Sequence, residues 1–268
     1  MFAMDRRSGW RHGLGLGLLL AASTVWPQWG HAENPSQLWL LLQRCAVQAE
    51  AGHQPPLPCA RVSGVPGAPD SYAVLKDRDG KAQYLLLPMQ RTSGLEAASL
   101  ITPQAHNFLA DAWALRDLVS AAAGAPLPRQ AFGLVINSAY GRSQNQLHIH
   151  ADCMQPWLVR RLADPALSRG EDWQSIDLPL DGGIRHFQLR WLPGEQLDVN
   201  PFRLLAEHLP AGDDMASHSL VLIGGYDPQH RPGFFLLSGH HDAATGDSAN
   251  ADRLQDLACH IVESLPSH

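Results

Sequence analysis

The sequence predicts an α+β domain built on a mainly antiparallel sheet flanked by helices, and three observations carry that prediction. Residues alternate polar and apolar with period two in short segments, most plainly at 146–152 (QLHIHAD) and 183–192 (GIRHFQLRWL), the mark of strands with two different faces. Two apolar runs at 71–76 (SYAVLK) and 81–87 (KAQYLLL) flank the turn sequence DRDG, whose D-G step supplies the positive-φ residue of a hairpin. Helical spacing of apolar residues is strongest near 34–51, 103–122 and 247–265.

With 20 Lys plus Arg against 26 Asp plus Glu the formal charge is −6, so no general electrostatic attraction to nucleic acid or to an anionic membrane surface is expected. An anionic substrate has to be held by local groups. Arg6, Arg7 and Arg11 precede an uncharged run at 13–26, and Gly30-His31-Ala32 has the small residues a signal peptidase reads. Residues 1–32 are therefore expected to be a signal peptide or an uncleaved membrane anchor, leaving 33–268 as a single domain. In either case the positive-inside rule keeps the arginines in the cytoplasm and sends the rest across the membrane.

Four cysteines in an exported chain suggest two disulfides, although four permit three pairings. Cys45 with Cys59 is the natural local pair, closing the proline-rich stretch HQPPLPC and contributing ~3 kcal/mol on the chain-entropy model. Cys153 with Cys259 then ties the end of the 146–152 strand to the last helix, at somewhat over ~4 kcal/mol.

In chain order, Asn34 or Ser36 can cap a helix to about Ala51, with Leu38, Leu41, Leu42, Cys45 and Ala49 on one face. Residues 52–69, rich in proline and glycine, read as an irregular connection, and the 71–87 hairpin follows. Phe108, Ala112, Leu115 and Val119 share a helical face, so one helix is expected from about 103 to 122, ended by GAPLP. Residues 131–136 (AFGLVI) read as a buried strand. A helix at 155–163, the 183–192 strand and a helix at 200–209 with Pro201 in the favoured first position come next. Residues 218–223 and 233–237 suggest a second hairpin. A closing helix is expected at 247–265, with Leu254, Leu257, Ile261 and Leu265 buried.

The chemistry centres on 137–153, NSAYGRSQNQLHIHADC. Leu147, Ile149 and Ala151 face the core, so Gln146, His148, His150 and Asp152 share the other face, roughly 6–7 Å apart at ~3.3 Å per residue. Three readings fit two histidines spaced this way. Imidazoles and an aspartate can bind zinc, and His148, His150 and Asp152 match an HxHxD half-site. The next position is Cys153 instead of a histidine, however, and the remaining histidines, His208, His218, His230, His240 and His241, show no matching spacing. Alternatively, a neutral imidazole attacks phosphorus while a neighbour fixes its tautomer, and the loop from Gly141 to Asn145 supplies donors for phosphoryl oxygens. In the third reading the histidines are merely hydrogen-bonded structural residues. Elsewhere, His240-His241 reads as a solvated turn and Lys76 as an exposed cation.

The combination INSxxxRSQNQLHIHxxC, with LKDRDGxxQYLLLP upstream and the Cys45/Cys59 pair, resembles the bacterial CDP-diacylglycerol pyrophosphatases, a branch of the histidine-triad superfamily, from about residue 36 to 263. The resemblance implies a histidine-triad-like (HIT-like) fold and hydrolysis of CDP-diacylglycerol to CMP and phosphatidate, with no metal and no cofactor. It also implies membrane association through the amino-terminal segment. The catalytic domain would then lie on the periplasmic side of the inner membrane, or free in the periplasm if the leader is cleaved.

The superfamily's three alternating histidines are incomplete here, and two registers arise. If Gln146 replaces the first histidine, His148 takes the middle, nucleophilic position. If Asn137 and Gln144 align with the Asn and Gln that precede the triad, His148 and His150 come first and Asp152 replaces the third. The second register keeps the upstream spacing without a gap and favours His150 as nucleophile, supported by His148. Asn137, Arg142, Ser143, Gln144, Gln146 and Asp152 are then the expected substrate-binding groups.

Overall fold

The computed structural model describes residues 34–264, so the leader expected over 1–32 lies outside the described residues. Among the described residues no helix is long and apolar enough to cross a membrane. The chain runs α1 (Gln37–Glu50), β1 (Arg61–Ser63), β2 (Tyr72–Lys76), β3 (Tyr84–Pro88), α2 (Phe108–Trp113), α3 (Arg116–Ala123), β4 (Phe132–Ile136), β5 (Ile149–Cys153) and α4 (Pro156–Leu162). It continues with β6 (Gln174–Leu180), β7 (Gly183–Pro193), α5 (Pro201–His208), β8 (His218–Tyr226) and β9 (Pro232–His240). One nine-stranded sheet has the order β1-β2-β3-β5-β4-β8-β9-β7-β6, and every neighbouring pair is antiparallel. The α+β class and the antiparallel sheet agree with the period-two segments.

The strand pleat sends alternate residues to opposite faces, and this decides where the site lies. Val74, Leu86, Leu134, Ile149 and Ala151 join Leu109, Ala112, Leu115 and Val119 of the α2–α3 region in one core. On the other face, Ala73, Leu85 and Leu87 pack with Leu42 and Cys45 of α1. Further along that face, Val135, Val221 and Leu237 pack with Leu158 and Leu162 of α4. His150 pairs with Leu85 on β3 and with Val135 on β4, so it stands between these two clusters. The second face is thus covered at both ends and leaves a gap above β5.

Both expected disulfides are present, Cys45–Cys59 and Cys153–Cys259. The first holds α1 over β2 and β3. The second joins the end of β5 to the carboxy-terminal segment.

Several expectations change. The helix expected at 103–122 is two, because Leu115 N–H bonds Ala112 O in a tight i→i+3 turn, and the first begins only at Asn107, whose side chain caps Ala110 N–H. Between β2 and β3 the turn is longer than DRDG, closing where Asp77 N–H meets Gln83 O. β1 and β6, for which no strand was expected, form the two sheet edges.

The expected closing helix is not formed. Residues Asp252–Leu254 and His260–Ser264 are short 3-10 turns, and Leu265 lies outside the described residues. Cys259 has φ +58, a left-handed conformation that ends any helix. The Asp256 carboxylate accepts from the backbone N–H groups of Ala258 and His260, and Asp256 N–H bonds Cys153 O. The segment therefore runs along the end of β5, with Leu254 and Ile261 buried and Leu257 exposed.

Candidate active site

The strand expected over 146–152 begins only at Ile149, and what precedes it fixes the first histidine. Gln146 is fully buried; its side-chain amide donates to the carbonyls of Pro88 and Gln90 at 2.9 and 3.0 Å. Leu147 N–H bonds Thr92 O, so residues 146 and 147 are pinned to the chain beyond β3. The carbonyl of Gln146 then points at the His148 ring, and His148 Nδ1 lies 2.7 Å from it. A carbonyl only accepts, so Nδ1 carries the proton and Nε2 keeps a lone pair. Burial, with the neighbouring His150 second, pulls the His148 pKa down to about 4, so the ring is neutral near pH 7.

His150 sits beside it, ring centroids 4.9 Å apart. Neither of its ring nitrogens has a hydrogen-bond partner, which is costly for a buried imidazole and marks a group held for something else. Its Nε2 is 3.7 Å from Oδ1 of Asp252. The other oxygen of Asp252 accepts from Asn137 Nδ2 at 2.7 Å, and Asn137 Oδ1 accepts from Ala251 N–H at 2.8 Å. Asn137 thus grips the turn that presents Asp252 to His150.

A cleft of about 540 Å³ opens over these rings, lined by Ser143, Gln144, His148 and His150 and by the apolar side chains of Leu38, Leu41, Leu75 and Leu85. Lys76 also lines it. It is half-buried, with Nζ donating to the carbonyls of Asp77 and Gly80 at 3.0 and 2.9 Å, which replaces the expectation of an exposed cation. The cleft therefore combines polar and apolar lining. Ser143 is exposed, and neither its hydroxyl nor its backbone N–H has an acceptor among the described residues.

The remaining expected groups fall differently. Gln144 reaches the cleft but is also a clasp, accepting from Leu38 N–H and donating to Asn34 O, both at 3.1 Å. Arg142 does not line the cleft: its guanidinium makes two bonds to Glu96, at 3.0 and 2.7 Å, and a side chain at Gly94 would run into it. This pair fixes the loop that carries Ser143. Gln146 contributes its main chain, as its side chain is spent inside the wall. Asn137 acts through Asp252.

Asp152 is also off the cleft. Its Oδ1 accepts from Cys153 N–H at 2.8 Å, and Oδ2 is buried without a partner. Burial raises its pKa to about 7.

Nor do His148, His150 and Asp152 converge as ligands for one ion, which removes the geometric basis for a zinc hydrolase on this strand. Among the described residues, the group of side chains that does converge is Asp213, His218 and His240. The sequence offered no spacing for it, because His218 and His240 meet as cross-strand partners on β8 and β9. The solvated turn expected at His240-His241 is corrected accordingly, and His241 stacks on Tyr140. Asp252 was missed for a similar reason, since only the fold brings it to a strand more than 100 residues away.

Residues 33–263 match a family model described as CDP-diacylglycerol pyrophosphatase. The chain is 34% identical over 253 residues to a CDP-diacylglycerol pyrophosphatase of Yersinia pestis, covering 93% of each protein.

Proposed function

Because the chain belongs to the CDP-diacylglycerol pyrophosphatase family and hydrolyses CDP-diacylglycerol, we propose that it does so through a cytidylyl-histidine formed on His148. The observation that carries this is the bond from His148 Nδ1 to the Gln146 carbonyl, which leaves Nε2 as a neutral nucleophile at the cleft. Nε2 attacks the phosphorus next to cytidine, the bond from that phosphorus to the bridging oxygen breaks, and phosphatidate leaves with the electron pair. The proton stays on Nδ1, hydrogen-bonded to the Gln146 carbonyl, throughout. The free hydroxyl and N–H of Ser143 are the donors for the phosphoryl oxygens.

In the second half, His150 takes a proton from water as the water oxygen attacks the same phosphorus. The phosphorus–nitrogen bond breaks, its electrons return to His148 Nε2, and CMP is released. Asp252 receives His150 Nε2–H, closing the present 3.7 Å gap, and so directs Nδ1 at the water. His150 remains essential on this reading, but as the base; the nucleophilic role that sequence register gave it passes to His148.

The lipid end of the substrate lies against Leu38 and Leu41 of α1, the apolar side of the cleft. The HIT-like fold is supported by the motif's strand and its loop of donors. The expected leader supports an inner-membrane protein with this domain in the periplasm, and protease treatment of spheroplasts tests it: the domain is degraded if it lies outside the cytoplasm and protected if it does not.

For the covalent step, the test is adduct formation with CDP-diacylglycerol labelled at the cytidine-side phosphorus. His148→Ala should form no adduct. His150→Ala should form it and release CMP slowly. The reverse outcome exchanges the two roles.

A further inference from the structure

A second constellation lies outside the cleft. His218 and His240 face one another across β8 and β9, with ring centroids 4.8 Å apart, and Asp213 approaches from the turn before β8. Its Oδ2 is 3.1 Å from His218 Nε2 and its Oδ1 is 3.5 Å from His240 Nε2. All three ligand atoms lie within 4.8 Å of one another. A tetrahedral zinc with bonds of ~2.0–2.1 Å places its ligands about 3.3 Å apart; with Asp213 Oδ2 as the ligand oxygen, the edge to His218 Nε2 is already near that spacing. The two edges to His240 close by rotating its side chain, which is 53% exposed.

The surroundings support a ligand set more than an incidental hydrogen-bonded group. His218 is buried, and its Nδ1 is 3.0 Å from the hydroxyl of buried Ser238. Metal-bound histidines are commonly held this way at their second nitrogen. Ser238 can accept from Nδ1–H, which shifts the proton from Nε2 and frees the Nε2 lone pair for a metal.

We infer that Asp213, His218 and His240 form a binding site for a single zinc ion, separate from the hydrolytic cleft, with its fourth position left to water. Two imidazoles and one carboxylate suit zinc better than calcium or magnesium, which prefer oxygen ligands. The site clips the turn at 213–217 onto the β8–β9 hairpin. That turn also bonds the loop leading to Ser143, through Ala139 N–H to Ala216 O, and His241 N–H bonds Ser217 O. An ion here therefore stiffens the base of the donor loop without touching substrate.

The test is titration of chelator-stripped protein with zinc alone, followed by calorimetry and thermal unfolding. Wild type should bind one equivalent and gain thermal stability. His240→Ala and Asp213→Asn should each weaken binding by at least ~10-fold, and Ser238→Ala by about 10-fold. Because His240 is exposed, its variant keeps the fold, which the unchanged melting temperature of the zinc-free form verifies. His148→Ala/His150→Ala protein should bind zinc as wild type does. Absence of binding in wild type, binding indifferent to His240→Ala and Asp213→Asn, or binding lost only in the His148/His150 variant would each overturn the inference.

Discussion

His148 donates its Nδ1–H to the carbonyl oxygen of Gln146, 2.7 Å away, and this one bond assigns both ring nitrogens. It depends on Gln146 and Leu147, ahead of the strand, being held by the bonds of Gln146 to Pro88 and Gln90 and of Leu147 N–H to Thr92. His148→Ala should lower the rate of CMP release by ~10⁴-fold or more, as loss of a nucleophile does elsewhere, with thermal stability little reduced. The check is a turnover assay beside an unfolding curve.

Asp252→Asn should slow the second half-reaction more than the first. The side-chain oxygen kept in Asn can still meet Asn137 Nδ2, but the charge facing His150 is gone. General-base support is worth about 10²–10⁴-fold, so steady-state turnover should fall within that range while the adduct accumulates. Quenched-flow measurement of adduct and CMP separates the two steps; equal slowing of both would show that Asp252 only shapes the site.

Two buried groups give opposing pH dependences of stability. Burial raises Asp152 from 3.8 to about 7, so the folded state holds a proton the unfolded state has lost. That contribution is complete below about 4 and is lost as pH rises to about 7. Burial lowers His148 from 6.5 to about 4, so its contribution is complete above 6.5 and is lost as pH falls to about 4. Across the shared window the two slopes, each at most ~1.4 kcal/mol per pH unit, offset one another. Asp152→Asn should unmask a rise in stability from about pH 4 to 6.5, and His148→Gln a fall. Urea unfolding across this range measures both.

The disulfides differ in what they restrain. Cys153–Cys259 closes a separation of 106 residues and Cys45–Cys59 one of 14, so on the chain-entropy model their removal costs about 4.7 and about 3 kcal/mol respectively. Cys259→Ala should therefore destabilise more in denaturant titrations. Cys45→Ala should instead raise KM, because it loosens α1, which carries Leu38 and Leu41 along the cleft.

Much of this was legible in local pattern. The alternation of Leu147, Ile149 and Ala151 gave the buried face of β5 and placed the histidines opposite. An expected export signal and an even cysteine count suggested pairings that the fold contains. Long-range hydrogen bonding was not legible. Nothing near Gln146 announces that Pro88 and Gln90 will consume its amide, and nothing near Arg142 announces Glu96. The register implied by the family resemblance therefore favoured His150 as nucleophile, while the bond to a main-chain carbonyl favours His148. The carboxy-terminal segment misled for a related reason: Leu254 and Ile261 do point inward, but they do so along the end of a strand, with Cys259 in a left-handed conformation, and not from a helix.

The central claim is most directly tested by rapid acid-free quenching of enzyme with CDP-diacylglycerol labelled at the cytidine-side phosphorus, followed by peptide mapping of the adduct. A cytidylyl group on His148, present in His150→Ala and absent in His148→Ala, is the predicted result. A label on His150, or full CMP release with no labelled peptide at any time, would contradict it.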